Sequence, residues 1–357
     1  MSVLRTVRTF DPASFAFVMA TGIVAVAAAT QGHERIGLAL FGLAVVAYVA
    51  IGAVTAARLA LYPRTFLTDV TDYDTGLSLL TSVAATCLVG SAGVRFVGVT
   101  RFSVGLLWLG ALLWVVLVYG VFIALTVHAR ERPLEDRIHG GWLLVTVATQ
   151  SVALLAALVA PTLGGAMRIV LFAALALYLL GGALYLVLIT LVVYRIVVLG
   201  LEPTAIGPPY WINAGAVAIT TLTGSTLLVR ETRWAFLATL DPFVRGLTLL
   251  FWVTATWWIP MLVVLGVWRH LVGDVALPYT GRGYDVSYWS IVFPLGMYTA
   301  ATERFAVETR LSFLGIVPQL FVYLALLAWG VTSLGLAHSI ATRVGTWITA
   351  DDTDGGY

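Results

Sequence analysis

Lysine is absent and cysteine nearly so: all 20 basic residues are arginine, and Cys87 stands alone. One thiol excludes an internal disulfide and a cysteine-ligated metal centre, which leaves Cys87 the role of a small packing residue. Charge is scarce too, at 11% of the residues where a soluble domain carries about a quarter. A net charge of +2 with no basic run excludes nucleic acid as a partner. The five histidines (His33, His128, His139, His270, His338) are scattered without metal-ligand spacing. No G-x-S-x-G, H-E-x-x-H or phosphate-binding glycine loop occurs. No metal, no cofactor and no enzymatic activity are therefore expected.

What the chain has instead is apolar sequence: 60% hydrophobic residues and a mean hydropathy of +0.97. The runs are about 20 residues long, matching the roughly 30 Å hydrocarbon core of a bilayer. The expected fold class is an all-α polytopic membrane protein. Ten spans are expected, near 13–30, 36–57, 76–94, 102–127, 141–161, 167–194, 211–229, 243–267, 287–303 and 312–340. They form one transmembrane domain over 1–357, with short cytoplasmic tails at 1–12 and 341–357 and polar connectors between. The first apolar run lacks a small-residue cleavage site and reads as a span rather than a signal peptide. Short loops such as Gln31–Arg35 and Pro161–Met167 fold consecutive spans into five antiparallel hairpins. Arginines divide 11 to 9 between the two sides, placing both termini in the cytoplasm of a cell (plasma) membrane protein.

Character alternates from span to span. Even spans are lipid-like, as in VGLLWLGALLWVVLVYGVFIAL, whereas odd spans carry small and hydroxyl residues, as in GLSLLTSVAATCLVG and YWINAGAVAITTLTGST. Ser78, Ser82 and Thr86 recur at helical spacing; Asn213, Val217, Thr220 and Gly224 share a stripe, as do Thr146, Thr149 and Gln150. Hydroxyls gain nothing from facing lipid but serve an inner ring of helices as pore lining, with Thr21 added from the first span. The same residues also permit close helix packing, so both readings stand at this point.

In the ninth span, SYWSIVFPLGMYTAATER, Pro294 removes an N–H and leaves the carbonyl near Ser290 without its helical donor. Bilayer tolerates that only where protein or water satisfies the freed group, which favours a cavity-lining position and a kink beside Phe293. Ionisable groups near the membrane boundary are Asp74, Arg195, Glu303, Arg304 and His338. If transport is proton-coupled, Asp74, Glu303 and His338 are the titratable set; interfacial snorkelling or structural ion pairs are the alternative. Arg64, Arg95, Arg137, Arg230 and Arg304 stand near pore mouths, as parts of an electropositive funnel or as solvated anchors.

FDPASFAFVMATGIVA, TSVAATCLVG, GGWLLVTVATQS, PYWINAGAVAITTLTGS, ATWWIPMLVVLGVWRH and YWSIVFPLGMYTAAT occur in that order, with His338 in LGLAHSI beyond them. The set resembles the signatures of the tellurite-resistance/dicarboxylate transporter family, which includes bacterial tellurite-resistance membrane proteins, fungal malate and sulfite permeases and plant guard-cell slow anion channels. The resemblance implies ten helices as five hairpins in quasi-fivefold arrangement around a central pore. It implies a homotrimer with one pore per protomer, and a phenylalanine on helix nine, here Phe293, that occludes it. Small anions are the implied substrates: chloride, nitrate, sulfite, tellurite, or a C4-dicarboxylate such as malate. The family holds both channels and proton-coupled permeases, and a non-transporting anion-binding sensor is the third reading. Only about ten residues precede the first span and about seventeen follow the last, so kinase gating through long tails is not expected.

Overall fold

The computed structural model describes residues 7–127, 138–199, 205–230, 234–273 and 284–354, with the side chains of Tyr73, Asp74, Leu125 and residues 343–354 left aside. Its long helices are α1 (Phe15–Thr30), α2 (Glu34–Leu61), α3 (Tyr73–Val97), α4 (Arg101–Val127), α5 (Leu144–Val159), α6 (Met167–Tyr194), α7 (Ile212–Leu228), α8 (Asp241–Leu271), α9 (Trp289–Thr309) and α10 (Ile316–Asp354). No strand occurs among the described residues.

Among the described residues, eight helical segments are long and apolar enough to cross a membrane by length and composition, against the ten spans expected. The two that fall short are α7 and α9. The first has 17 residues, rich in hydroxyls, and the second carries Glu303, Arg304 and Glu308. Both are instead the kind of helix that protein surrounds, since nearly every residue of α7 is buried.

Burial follows the alternation seen in composition. The spans built on α1, α3 and α5 are 72%, 89% and 94% buried, whereas those on α2, α4, α6, α8 and α10 lie between 17% and 33%. Each odd helix packs on the even helix that follows it. The odd helices also touch one another in sequence (α1 on α3, α3 on α5, α5 on α7, α7 on α9), and α9 returns to α1.

Three connectors depart from the sequence reading. A short amphipathic helix, Pro63–Thr71, fills the link between α2 and α3, started by a proline that needs no intrahelical donor at that position. Helix α9 runs six residues past the expected end at 303, which adds Arg304 and Glu308 to it. Helix α10 continues to Asp354 through most of the expected tail.

Four of the five odd helices begin at a side-chain cap. Three open with a 3-10 turn capped by a side chain: Asp11 Oδ1 accepts from Ala13 N at 2.8 Å, His139 Nδ1 from Gly141 N at 3.1 Å, and Asp285 Oδ1 from Ser287 N at 2.7 Å. Asp72 Oδ1 accepts from Thr75 N at 3.0 Å at the start of α3. These caps satisfy first-turn N–H groups that have no helical partner.

An arginine from the far end of the partner helix ties down the residue before the cap. Arg58 donates to the Phe10 carbonyl, Arg195 to that of Ile138, and Arg269 to that of Ile206 at 2.9 Å. In each pair the arginine ends the even helix and the carbonyl precedes the odd helix of the same hairpin. Arg58 is nearly buried and also pairs with Asp69 at 2.7 Å.

Candidate functional site: an axial path closed at its middle

Two cavities open at opposite ends of the odd helices. The first, about 460 Å³, is lined by Ala16 and Met19 of α1, Ser78 and Thr81 of α3, Leu144 of α5, Ile212 of α7 and Ser290 of α9. Asp11 and His139 stand at its rim. The second, about 510 Å³, is lined by Gly22 and Val26, Leu88 and Ser91, Leu154 and Leu158, Leu222 and Thr226, and Ala300, again from all five odd helices. Arg95, Arg230, Glu303 and Arg304 stand in it.

The lining residues on each helix continue across the gap at helical spacing. From Ile212 to Leu222 the stripe passes Gly215 and Ile219; from Ser290 to Ala300 it passes Phe293 and Met297; from Leu144 to Leu154 it passes Ala148 and Ser151; from Thr81 to Leu88 it passes Ala84 and Ala85. The residues passed between the two cavities are all buried. None is charged, and Ser151 gives its hydroxyl to the Val147 carbonyl of its own helix. Two cavities are thus separated by a buried, uncharged stretch.

All five odd helices run the same way, so their N-termini face the first cavity and their C-termini the second. Aligned peptide dipoles make the first mouth electropositive. At the second mouth the dipoles oppose an anion, and three arginines stand against them. There Arg95 pairs with Glu34, Arg304 Nε lies 3.5 Å from Glu308 Oε1, and Arg230 Nε donates to the Ala157 carbonyl at 3.2 Å. Glu303 accepts from Gln31 Nε2 at 3.0 Å.

Of the polar residues expected to line a path, Ser78 lines the first cavity. The others are turned elsewhere, and the reason is a repeated joint. From every even helix an aromatic side chain reaches a polar one on the next odd helix. Tyr48 Oη and Thr86 Oγ1 lie 3.0 Å apart, Trp114 Nε1 donates to Thr149 Oγ1 at 2.8 Å, and Tyr185 Oη donates to Asn213 Oδ1 at 2.8 Å. Trp252 Nε1 donates to Thr302 Oγ1 at 3.1 Å and Trp329 Nε1 to Thr21 Oγ1 at 3.0 Å, which closes the circuit from α10 to α1. Thr21, Thr86, Thr149 and Asn213 therefore face the outer helices. Gln150 donates to the Tyr178 carbonyl on α6 at 2.9 Å. Ser82 and Thr220 bond the Leu79 and Ala216 carbonyls of their own helices, each at 2.7 Å, a local option that lets a hydroxyl sit in apolar surroundings. Thr146 is buried outside both cavities, and its hydroxyl has no partner among the described residues.

Phe293 is fully buried on the axial stripe, and α9 stays helical through Pro294. Glu303 lines the second cavity, whereas His338 stands exposed on α10 away from both, and the Asp74 side chain lies outside the described residues. Arg95, Arg230 and Arg304 do stand at a mouth; Arg64 is exposed on the short helix, and Arg137 lies outside the described residues. The sequence reading missed Thr81, Ser91, Thr226 and Ser290, four of the hydroxyls that line the cavities. The available signal was the stripe Ser78–Thr81–Leu88–Ser91–Arg95, which ends on a charge at the helix terminus as a mouth-facing stripe should.

A family model described as voltage-dependent anion channel matches residues 9–337. An uncharacterized transporter of Methanocaldococcus jannaschii is 24% identical over 349 residues, covering 96% of each chain. A second from that organism is 26% identical over 309 residues, 83% of this chain and 85% of that one. An uncharacterized membrane protein of Mycobacterium tuberculosis is 33% identical over 156 residues, 44% of this chain and 76% of that one.

Proposed function

This chain belongs to the voltage-dependent anion channel family, and from that premise we propose that it passes small anions along the axis of its odd helices, with Phe293 as the plug. The observation that carries the reading is the pair of cavities, each lined by all five odd helices and separated by a buried stripe containing Phe293. In this reading all ten long helices cross the membrane as five hairpins in quasi-fivefold arrangement. A hydroxyl-lined first mouth (Ser78, Thr81, Ser290) gathers anions at aligned helix N-termini. The arginines of the second mouth counter the dipoles there.

A channel is favoured over a proton-coupled C4-dicarboxylate or sulfite permease. Coupling needs a titratable group on the path, and the apolar stripe carries none; Glu303 lies in the second mouth, beyond it. With no charge at the constriction, chloride, nitrate, sulfite, tellurite and malate are ranked by size and by the cost of shedding water. Homotrimeric assembly in the plasma membrane with cytoplasmic termini belongs to the same proposal, resting on the family resemblance and the arginine tally.

The test is flux in reconstituted vesicles across that anion panel, with and without a pH gradient. Current without a gradient, raised in Phe293→Ala, supports a plugged channel. Binding without flux would establish a sensor, and lumen pH changes that track substrate would establish a permease.

A further inference from the structure

Phe293 does not stand alone on the axial stripe; it rests on a glycine. A Cβ added at Gly215 of α7 would lie 2.6 Å from Phe293 Cε1, 2.7 Å from its Cδ1 and 3.2 Å from Pro294 Cγ. No side chain fits there while the ring keeps its place. Gly215 lies between Ile212, which lines the first cavity, and Leu222, which lines the second. The contact is therefore on the axial face of α7.

The glycine has no conformational reason to be there. It sits inside a helix between Ala214 and Ala216, without a left-handed φ, where alanine would favour the helix by about 1 kcal/mol. Room for the ring is the reason the structure offers. Nor can α9 retreat to relieve a larger residue. On its other side Gly296 closes on α1, where an added Cβ would meet Val24 Cγ2 at 2.8 Å and the Val24 backbone nitrogen at 3.2 Å. Held between α7 and α1, α9 transfers any crowding at position 215 to the torsions of Phe293.

We infer that Gly215 is the seat of the plug, a positioning residue whose lack of a side chain lets Phe293 rest across the axis. The inference rests on the plug reading for its effect on flux and on packing alone for its effect on stability. Gly215→Ala penalises the seated ring as overpacking does, shifting the seated-to-unseated ratio by about tenfold and raising resting flux by a similar factor. In a Phe293→Ala background the methyl enters the space left by the ring, so the added substitution leaves flux unchanged and does not lower melting.

The experiment compares chloride and nitrate flux in vesicles, and melting in detergent, for the native protein, Gly215→Ala, Phe293→Ala and the double variant. The expected result is raised flux and lowered melting from Gly215→Ala only when Phe293 is present. A folded Gly215→Ala protein with native flux and melting would overturn the seat, as would an equal effect in both backgrounds. If Phe293→Ala leaves flux native, the plug reading fails, and the seat is decided by whether the melting shift still depends on Phe293. Should Gly215→Ala fail to fold, Phe293→Ala, which removes both Cε1 and Cδ1, must restore folding; failure to do so counts against the seat.

Discussion

Replacing Thr149 by valine keeps the shape of the side chain and removes one hydroxyl. Thr149 is fully buried, and its Oγ1 accepts the Trp114 indole N–H at 2.8 Å while donating to the Val145 carbonyl. The Val145 carbonyl keeps its helical N–H, so little is lost there. The indole N–H has no such reserve. A net hydrogen bond contributes about 0.5–1.5 kcal/mol, interhelical bonds in membranes average about 0.6, and an orphaned buried donor adds to the loss. The expected destabilisation is about 1–2 kcal/mol, read as a lower melting temperature in detergent. A double-mutant cycle with Trp114→Phe should return about 1 kcal/mol of coupling, because Phe removes the orphan. Flux per folded protein and the permeability ratios among anions should stay native, since the hydroxyl faces α4 rather than the axis. Altered ratios with native stability would refute this placement and put Thr149 on the ion path.

Three further outcomes are expected. Gly224→Ala would put a Cβ 2.1 Å from Thr248 Oγ1 and 2.8 Å from Tyr178 Oη, breaking their 3.0 Å hydrogen bond; a loss of about 2–4 kcal/mol in unfolding free energy follows. Arg304→Gln should reduce anion flux at low ionic strength and lose that effect at high salt, because the guanidinium acts on the second mouth as a screened charge. Alkaline titration should weaken the fold. Burial pushes the Tyr284 phenol up to about 12 from an ordinary 10.0, with the Trp289 indole hydrogen bond opposing. The unfolded phenol ionises first, so stability falls as pH rises from the ordinary value toward the folded one, and Tyr284→Phe should flatten that part of the melting profile.

The division into inner and outer helices was readable because lipid leaves a compositional record. Helices such as α4 expose Trp108, Leu112 and Val116 and hold few polar groups, whereas α5 and α7 can carry Thr and Ser because protein surrounds them. Helix boundaries were readable to a few residues where glycine or proline punctuates the chain, as at Gly32, whose left-handed φ of 85° closes the turn after α1. Helix α9 runs six residues past the expected span end at 303, because a helix end and a membrane boundary are different things. For a related reason the sequence left the polar stripe open between pore lining and helix packing. Helical periodicity tells which residues share a face, but it does not tell which neighbour that face meets.

Composition and periodicity alone therefore determine that this protein is a helical membrane protein with alternating outer and inner helices, and they single out Phe293–Pro294 as an irregularity within one inner helix. These are properties of a chain against a solvent, and the solvent here is lipid. Tertiary structure alone decided that Thr21, Thr86, Thr149 and Asn213 serve joints to the outer helices. It alone showed that Ser78 and Thr81 open to a mouth and that Gly215 makes room for the ring of Phe293. Those assignments depend on the rotation of each helix about its own axis, which is set by the aromatic and glycine contacts of its neighbours from distant parts of the sequence.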